Sequence, residues 1–357
     1  IFDTLNAKAA VSAYEKVKAT TGCDVPLMCS ATVSDKSGRM LSGQTMEAFV
    51  VSIAHANPLS VGMNCGLGTA AMIPLLHRMQ QAVVQHPALS CHGEVFLSCH
   101  PNAGLPNQFG CYDDTPEEMA EEMRPLLADG IARIVGGCCG TTPAHIAAIR
   151  REIDSAEAVP RAASNVVPTL TLSGQDAFSF APDTFVVVGE RCNVAGSRKF
   201  LRLINEGQYD EALDIARTQI EKGAMVIDIN MDDGLLDASR EMTTFLNLIA
   251  SDPSVCRVPI MVDSSRFDVI EAGLKCCQGK CIVNSISLKQ GEAEFLRQAV
   301  CDRYSLPAGE TGEKISVYSF GDFLNAASGS SLNRFRRADD KCQRHPVGGV
   351  CEIAVNQ

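Results

Sequence analysis

The chain lacks three features that would place it in common protein classes. No apolar run approaches the ~20 residues that a helix needs to cross a bilayer. The N-terminus has no basic segment followed by an apolar one, the pattern of a secretory signal. Positive charge is not in excess, because 31 Lys and Arg stand against 42 Asp and Glu, a formal net charge of -11. These absences argue against a membrane protein and against nucleic acid or an anionic membrane as the main partner.

A close Cys-x-x-Cys pair is also missing, although the chain has 16 cysteines. Disulfide scaffolds are short, loop-rich secreted chains. Here the cysteines are spread over helix-like and strand-like segments of a chain of 357 residues, of which 46% are hydrophobic. We therefore expect reduced thiols in a cytoplasmic protein that is long enough for two domains.

Apolar runs alternate with amphipathic segments in two blocks. In the first block the predicted strands are 26–33, 59–65, 94–102 and 131–139, and the predicted helices are 45–55, 70–85, 115–129 and 142–153. In the second block the strands are 184–190, 224–230, 258–264 and 281–286, and the helices include 209–222, 237–250 and 267–277. This alternation predicts an α/β fold with parallel sheets covered by helices on both faces. The proline-containing segment 154–183 between the blocks is interpreted as a linker.

Polar residues collect at the carboxyl ends of the predicted strands, the face that carries the active site in a (β/α)8 barrel. They are Cys65, Asn102, Cys138, Cys139, Glu190, Asp228, Asn230, Asp263 and Asn284. Each block has about four to five βα units where a barrel needs eight. The sequence therefore predicts either two incomplete barrels or one barrel assembled from both blocks.

Three of these residues have the chemistry of a zinc site. Cys65 lies in VGMNCGLG, and the adjacent Cys138 and Cys139 lie in IVGGCCGTTP. Three thiolates with an open fourth position are typical of a zinc ion that activates a substrate. The alternative is three ordinary buried cysteines, and spacing alone does not decide between them. The histidines between Gln85 and His100 are interpreted as solvated rather than as a second metal site.

The first block resembles the homocysteine-binding barrel of the cobalamin-dependent methionine synthase family. The resemblance is carried by IFDTLNAKAA, LSGQTMEAF, VGMNCGLG, HPNAGLPNQFG and IVGGCCGTTPAHI. It implies zinc bound by Cys65, Cys138 and Cys139, and homocysteine contacts from Asn102 and Asp3.

The second block resembles the pterin-binding barrel of the same family, through VGERCNVAGSRKF, VIDINMDDG, VPIMVDSS and IVNSIS. This resemblance implies hydrogen bonds to a pterin ring from Asn193, Asp228, Asp263 and Asn284. Without it, an Asp or Asn at a strand end is more often a turn or helix-capping residue.

The resemblance stops near Val300, and the chain starts after the first strands of the family's first barrel. We therefore expect a fragment in which both TIM-type barrels are incomplete. Its expected parts are a homocysteine-binding barrel at 1–153, a linker at 154–183, half a pterin-binding barrel at 184–300, and a tail at 301–357 that adds no further barrel strands.

The resemblance implies methyl transfer from 5-methyltetrahydrofolate through cobalamin to the zinc-bound thiol of homocysteine. The cobalamin would be held by a corrinoid-binding domain that this chain lacks, so the chain alone is expected to be inactive. Two alternatives stay open: a corrinoid-independent homocysteine S-methyltransferase that uses betaine or S-methylmethionine, and a truncated product that binds zinc without catalysis.

Overall fold

The computed structural model describes residues 1–33, 36–86, 89, 95–156, 170–181, 183–295 and 297–298. The chain divides into two compact units, one formed from Ile1–Ala7 and Asp24–Val167 and the other from Lys8–Cys23 and Pro168–Gln357, each in its described part. Within these residues, no helix combines the length and the hydropathy that crossing a bilayer demands. The expectations for residues 301–357 lie outside the described part of the chain.

The first unit is built on a four-stranded parallel sheet in the order β1-β2-β3-β4. The strands are β1 (Met28–Ala31), β2 (Ser60–Gly68), β3 (Phe96–Asn102) and β4 (Ala132–Val135). The helices are α1 (Thr4–Thr21), α2 (Met46–Ile53), α3 (Thr69–Gln85), α4 (Pro116–Ala128) and α5 (Pro143–Ser155). α1 continues from Ala7 into the residues grouped with the second unit.

The apolar faces of these elements explain the layering of the first unit. Phe49 of α2, Leu76 and Met79 of α3, and Met63 of β2 are fully buried in one core cluster. Local signals fix where the helices begin. Thr115 and Glu118 form a reciprocal capping box ahead of α4, and Pro116 occupies its first turn, where a missing N–H costs nothing.

The segment 154–183, predicted as a linker, contains a β-hairpin. Strands β5 (Leu170–Ser173) and β6 (Ala177–Phe180) pair in antiparallel fashion. Leu172 and Phe180 are buried. The two strands are joined by a tight turn of three residues. The strands are short, and the prolines and small residues around them hid their apolar pattern in the sequence.

The second unit has its own four-stranded parallel sheet, in the order β10-β9-β8-β7. Its strands are β7 (Val188–Asn193), β8 (Val226–Asn230), β9 (Ile260–Asp263) and β10 (Ile282–Asn284). The helices are α6 (Arg198–Asn205), α7 (Tyr209–Glu221), α8 (Ala238–Ala250) and α9 (Phe267–Leu274). In the helical layer, the rings of Phe200 and Phe245 pack edge to face with their centroids 5.3 Å apart, a geometry that aromatic pairs prefer.

The hairpin covers the amino end of this second sheet. Leu170, Leu172 and Phe180 share an apolar cluster with Val226 and Ile282, which are the first residues of β8 and β10. At the opposite end of the sheet, the strands finish in polar residues, which are Asn193, Asn230, Asp263 and Asn284.

The α/β prediction with parallel sheets is confirmed. The described strands of the two blocks form separate sheets of four strands each, which fits two incomplete barrels rather than one barrel shared by both blocks. Strand ends shift by a few residues: the strand predicted over 131–139 ends at Val135, and the one predicted over 184–190 begins at Val188.

Candidate metal centre and candidate pterin site

The structure brings the three sulfurs together at the carboxyl end of the first sheet. The sulfur of Cys139 lies 3.5 Å from that of Cys65 and 3.9 Å from that of Cys138, and all three lie within 4.8 Å of one another. Zinc–thiolate bonds of about 2.3 Å in a tetrahedron separate sulfurs by roughly 3.5–4 Å. Among the residues that the structure describes, this is the one cluster of three His, Cys, Asp or Glu side chains at such spacing.

Cys65 adopts an unusual backbone conformation within β2. Its φ of 59° lies in the left-handed region, and Gly66 follows with a φ of 76°. A side chain on Gly66 would collide with the carbonyl oxygen of Val33. For a residue other than glycine, the left-handed region costs roughly 1 kcal/mol or more. The fold therefore stores local strain at the residue that delivers the third sulfur, as functional sites often do.

The end of β3 holds the adjacent cysteines through their backbones. The N–H of Cys138 donates to the carbonyl of Pro101 at 2.7 Å, and Ala103 donates to the carbonyl of Cys139 at 2.9 Å. The side-chain oxygen of Asn102 accepts the N–H of Cys139 at 3.1 Å. The pair follows β4 rather than continuing it, so the side chains do not alternate between two faces, and both sulfurs can point to one centre.

The two residues predicted to contact homocysteine have structural partners. Asn102 is buried, and its side-chain oxygen anchors Cys139. Asp3 accepts the N–H of Asn6 at 2.8 Å, so its carboxylate caps the first turn of α1. Asn102 lies beside the cysteine cluster, as expected, and the roles of both residues in binding homocysteine stay predictions.

The adjacent thiols of Cys138 and Cys139 differ in their readiness to ionise. Burial raises the pKa of Cys138 to about 11. Hydrogen bonds from Cys65 and then from the Tyr112 hydroxyl lower the pKa of Cys139. Cys139 is therefore the sulfur whose thiolate the fold favours over its neighbour Cys138. Tyr112 was not singled out from the sequence, because nothing in its spacing links it to the cysteines.

At the second sheet, strand register brings polar residues into one row. Asn193 is paired with Asn230, Asn230 with Asp263, and Asp263 with Asn284. The row therefore runs across β7, β8, β9 and β10 at their carboxyl ends. It unites three of the predicted pterin-binding residues with Asn230, which was noted as a strand-end residue but not assigned to the pterin. Its final position in β8 was the available signal.

Asp228, the fourth predicted residue, lies two positions before Asn230 and thus on the same face of β8. It is 5% exposed, and its Oδ1 atom is buried with no hydrogen-bond partner among the described residues. Burial, followed by the charges of Asp263 and Glu190, raises the pKa of Asp228 to about 8. A buried polar atom without a partner is costly, so this carboxyl group is arranged to meet a ligand or a water molecule.

The other members of the row are partly engaged. Asn230 donates to Asp263 at 2.9 Å, and burial raises the pKa of Asp263 to about 6 against the opposing effect of that bond. Asn193 accepts the N–H of Gly196 at 2.8 Å, the turn role that strand-end asparagines commonly have. At neutral pH the carboxyl end of the second sheet thus presents a protonated carboxyl on Asp228, an ionised carboxylate on Asp263, and the amide groups of the asparagines. Together these groups can form hydrogen bonds with both the donors and the acceptors of a flat heterocycle.

The prediction that the histidines near the end of α3 are solvated is not uniformly correct. His86 is buried, with 2% exposure, so its interpretation as solvated is wrong; it closes the last turn of α3, where its N–H bonds the carbonyl of Val83. His100 is half-buried on β3, and burial lowers its pKa. His92 lies outside the described residues.

Comparisons with known proteins divide the chain in the same way. Residues 1–153 match the family model described as Homocysteine S-methyltransferase, and residues 189–307 match the model described as Pterin binding enzyme. Among solved structures, the carboxyl transferase domain of Rhizobium etli pyruvate carboxylase with pyruvate aligns at 11% identity with a TM-score of 0.20. The alignment covers 96% of this chain and 58% of that one. The chain thus contains one region similar to homocysteine S-methyltransferases and another similar to pterin-binding enzymes.

Proposed function

We propose that the chain serves methyl transfer from 5-methyltetrahydrofolate through cobalamin to homocysteine, which yields methionine and tetrahydrofolate. The observation that carries the proposal is the cluster of Cys65, Cys138 and Cys139 within the homocysteine S-methyltransferase domain. The pterin-binding domain on the same chain favours a folate as methyl donor over betaine or S-methylmethionine.

The cysteine cluster fits a zinc ion in its donor set and spacing. Three soft thiolates would hold the ion and leave one tetrahedral position for the thiol of homocysteine. Bound there, zinc supplies a Lewis acid that makes the substrate thiol more acidic at neutral pH. The chain's own contribution is placement: the strained backbone of Cys65 aims one sulfur, and Asn102 anchors the backbone that carries another.

The polar edge of the second sheet would bind the pterin ring. Protonated Asp228 can donate a hydrogen bond to a ring nitrogen or oxygen, and ionised Asp263 can accept one from a ring N–H. Asn230 holds the Asp263 carboxylate in place. Asn193 and Asn284 extend the same row on either side.

In this proposal cobalamin is carried by a separate corrinoid-binding domain, and homocysteine and methyltetrahydrofolate are the small-molecule partners. The two domains span residues 1–153 and 184–300, and the protein is located in the cytoplasm. A truncated product that binds zinc without catalysis is the competing possibility, and folate binding that depends on the polar edge of the second sheet would favour the proposal over it.

Folate binding by the full chain tests the proposal directly. We expect 5-methyltetrahydrofolate to bind in equilibrium dialysis, and Asp228→Ala to weaken binding by about 10–100-fold, because the loss of its partner leaves a buried polar group of the ligand unsatisfied, at a cost of roughly 1–3 kcal/mol. Asp210→Ala, an exposed position in the first turn of α7, is the matched control. Equal binding by wild type and Asp228→Ala would count against the pterin site, and no binding at all would favour the non-catalytic alternative.

The overall reaction is a separate expectation. We expect no methionine from this chain alone with methyltetrahydrofolate, homocysteine and added corrinoid, because each described sheet has four strands where the family barrel has eight. Methionine formation can be followed by chromatography against a reaction without protein. Turnover clearly above that background would show the expectation to be wrong.

A further inference from the structure

The loop between β8 and α8 reaches across to the end of the neighbouring strand β9. Its first residue, Met231, is fully buried in the core of the second unit, and Asp232 follows it. The Oδ1 atom of Asp232 accepts the hydroxyl of Ser264 at 2.6 Å, and its Oδ2 atom accepts the N–H and the hydroxyl of Ser265 at 2.6 and 2.7 Å. One carboxylate therefore holds, through three hydrogen bonds, the two residues that come directly after Asp263.

These contacts differ from the local ones that an aspartate in a turn usually makes. The next residue, Asp233, shows the local pattern, because its side chain accepts the N–H of Leu235 at 2.9 Å within the same loop. The partners of Asp232 lie instead in the loop between β9 and α9, 32 and 33 positions along the chain. Hydrogen bonds to a carboxylate are shorter and roughly twice as strong as those between neutral groups, so Asp232 makes a strong link between two strand ends.

A second route connects Asp232 to the same strand end. Its backbone N–H donates to Oδ1 of Asn230 at 2.8 Å, and the Nδ2 group of Asn230 donates to Oδ2 of Asp263 at 2.9 Å. Because one end of an amide accepts and the other donates, the bond from Asp232 determines which end of the Asn230 side chain faces Asp263. The two routes form a closed ring, in which Asn230 holds the Asp263 side chain and the two serines hold the backbone that follows it.

The segment that Asp232 holds is also bonded to the last strand of the sheet. Ser264 is 2% exposed, and its N–H donates to the carbonyl of Asn284 at 2.8 Å. Asp263 and Asn284 are both among the residues predicted to bind the pterin. Binding groups must be held within about 0.5 Å of the productive geometry, so a shift of this segment would misplace two of them at once.

We propose that Asp232 is a positioning residue of the candidate pterin site, which fixes the direction of the Asp263 carboxylate through Asn230 on one side and through Ser264 and Ser265 on the other. The inference deepens the proposed function and rests on it. It requires no contact between Asp232 and the pterin, since Asp232 acts through the groups that it holds. A carboxylate that only stabilised its own loop would make the same bonds without a specific effect on Asp263, and this difference can be measured.

The test measures binding of 5-methyltetrahydrofolate to the full chain by equilibrium dialysis, with ligand concentrations that extend into the millimolar range. Asp232→Ala removes all three side-chain bonds, and we expect it to weaken binding by roughly 10-fold, a typical size for interactions within one hydrogen-bond network. Asp232→Asn should retain most of the affinity, because its amide can still accept from Ser265 and donate to Ser264. Asp233→Ala, in the same loop, is the matched control and should bind as the wild type does.

A double-mutant cycle separates positioning from general stabilisation. If Asp232 acts through Asp263, the substitution Asp232→Ala should weaken binding by less than about 2-fold further in a chain that already carries Asp263→Ala. A general loss of stability would instead lower the affinity by the same factor in both backgrounds, because it does not depend on the Asp263 carboxylate.

Melting curves verify that each variant is folded. If Asp232→Ala does not fold, Ser265→Ala replaces it in the cycle with a smaller expected loss, since it removes one of the three bonds. Wild-type affinity in Asp232→Ala, or an equal loss with and without the Asp263 carboxylate, would overturn the inference. Failure of the wild type itself to bind 5-methyltetrahydrofolate would contradict the proposed function, which is a different result.

Discussion

Cys139→Ser should lower the apparent zinc affinity of the chain by about 100–1000-fold. The free energy of binding structural zinc is roughly 10–16 kcal/mol at neutral pH, so each of four ligands contributes about 2.5–4 kcal/mol, and 1.4 kcal/mol corresponds to a factor of ten. A serine hydroxyl is a harder donor than a thiolate and stays protonated near pH 7. Cys139 lies within 3.9 Å of both other sulfurs, so its loss should affect the site most directly. Chelator competition and the zinc content after dialysis measure the change.

Two comparisons make this result specific. Cys65→Ser and Cys138→Ser should produce losses of the same order, because the three sulfurs act as one set. Cys23→Ser, at an exposed cysteine next to the end of α1, should retain wild-type zinc content. Zinc content that survives all three substitutions in the cluster would return these residues to the status of ordinary packing cysteines.

Asp228→Asn should stabilise the second unit at pH 7–8 and remove most of the pH dependence of its unfolding between pH 6 and 8. The pKa of Asp228 is about 8 in the folded chain because the carboxyl is buried, and about 3.9 in an unfolded one. Between these values the folded chain keeps the proton and the unfolded chain has released it. The free energy of unfolding therefore falls as pH rises through this window. One pKa unit is worth about 1.4 kcal/mol, so the gain in the variant should be about 2–5 kcal/mol at pH 8.

Asp263 gives this experiment an internal reference. Its pKa of about 6 produces the same sign of effect, but only between about pH 4 and 6, and the asparagine variant at position 228 retains it. Urea unfolding followed by circular dichroism at pH 5, 6, 7 and 8 should thus show the two curves diverging steadily from pH 5 to pH 8, with the variant keeping only the fall below pH 6 that Asp263 causes. Asp210→Asn, at an exposed site, should follow the wild type throughout. Parallel curves for Asp228→Asn and the wild type above pH 6 would contradict the raised pKa.

The stability gained by Asp228→Asn is expected to come at the expense of ligand binding. Among the residues that the structure describes, the buried Oδ1 atom of Asp228 has no hydrogen-bond partner, and a ligand hydrogen bond would relieve that cost. The unpaired carboxyl raises the free energy of the ligand-free protein. Because a bound ligand removes that cost, the group favours the bound state. The two Asp228 experiments, on stability and on folate binding, therefore examine one physical cause from opposite sides.

Local sequence patterns determined the elements and their type. The 3.6-residue periodicity of segments such as Tyr209–Glu221 predicts a helix with one buried face, and the continuous apolar run ending in Val226–Asn230 predicts a buried parallel strand. Because parallel strands all present their carboxyl ends at one edge, the same patterns placed Cys65, Asp228 and Asp263 at the edges where we propose the two sites. These inferences needed only neighbouring residues, which is why they were accessible without the fold.

Tertiary structure decided what depends on register and on contacts between distant segments. The row that adds Asn230 to the candidate pterin site follows from strand pairing across residues 193–284, and side-chain spacing within one strand does not encode such pairing. The anchoring of Cys139 by Asn102 joins residues 37 positions apart, and the contact of Tyr112 with Gly140 joins residues 28 positions apart. The hairpin within the predicted linker is stabilised by apolar contacts with β8 and β10, which local composition does not reveal. Short-range pattern thus determined which residues reach each site, whereas long-range packing determined which partners each of them meets there.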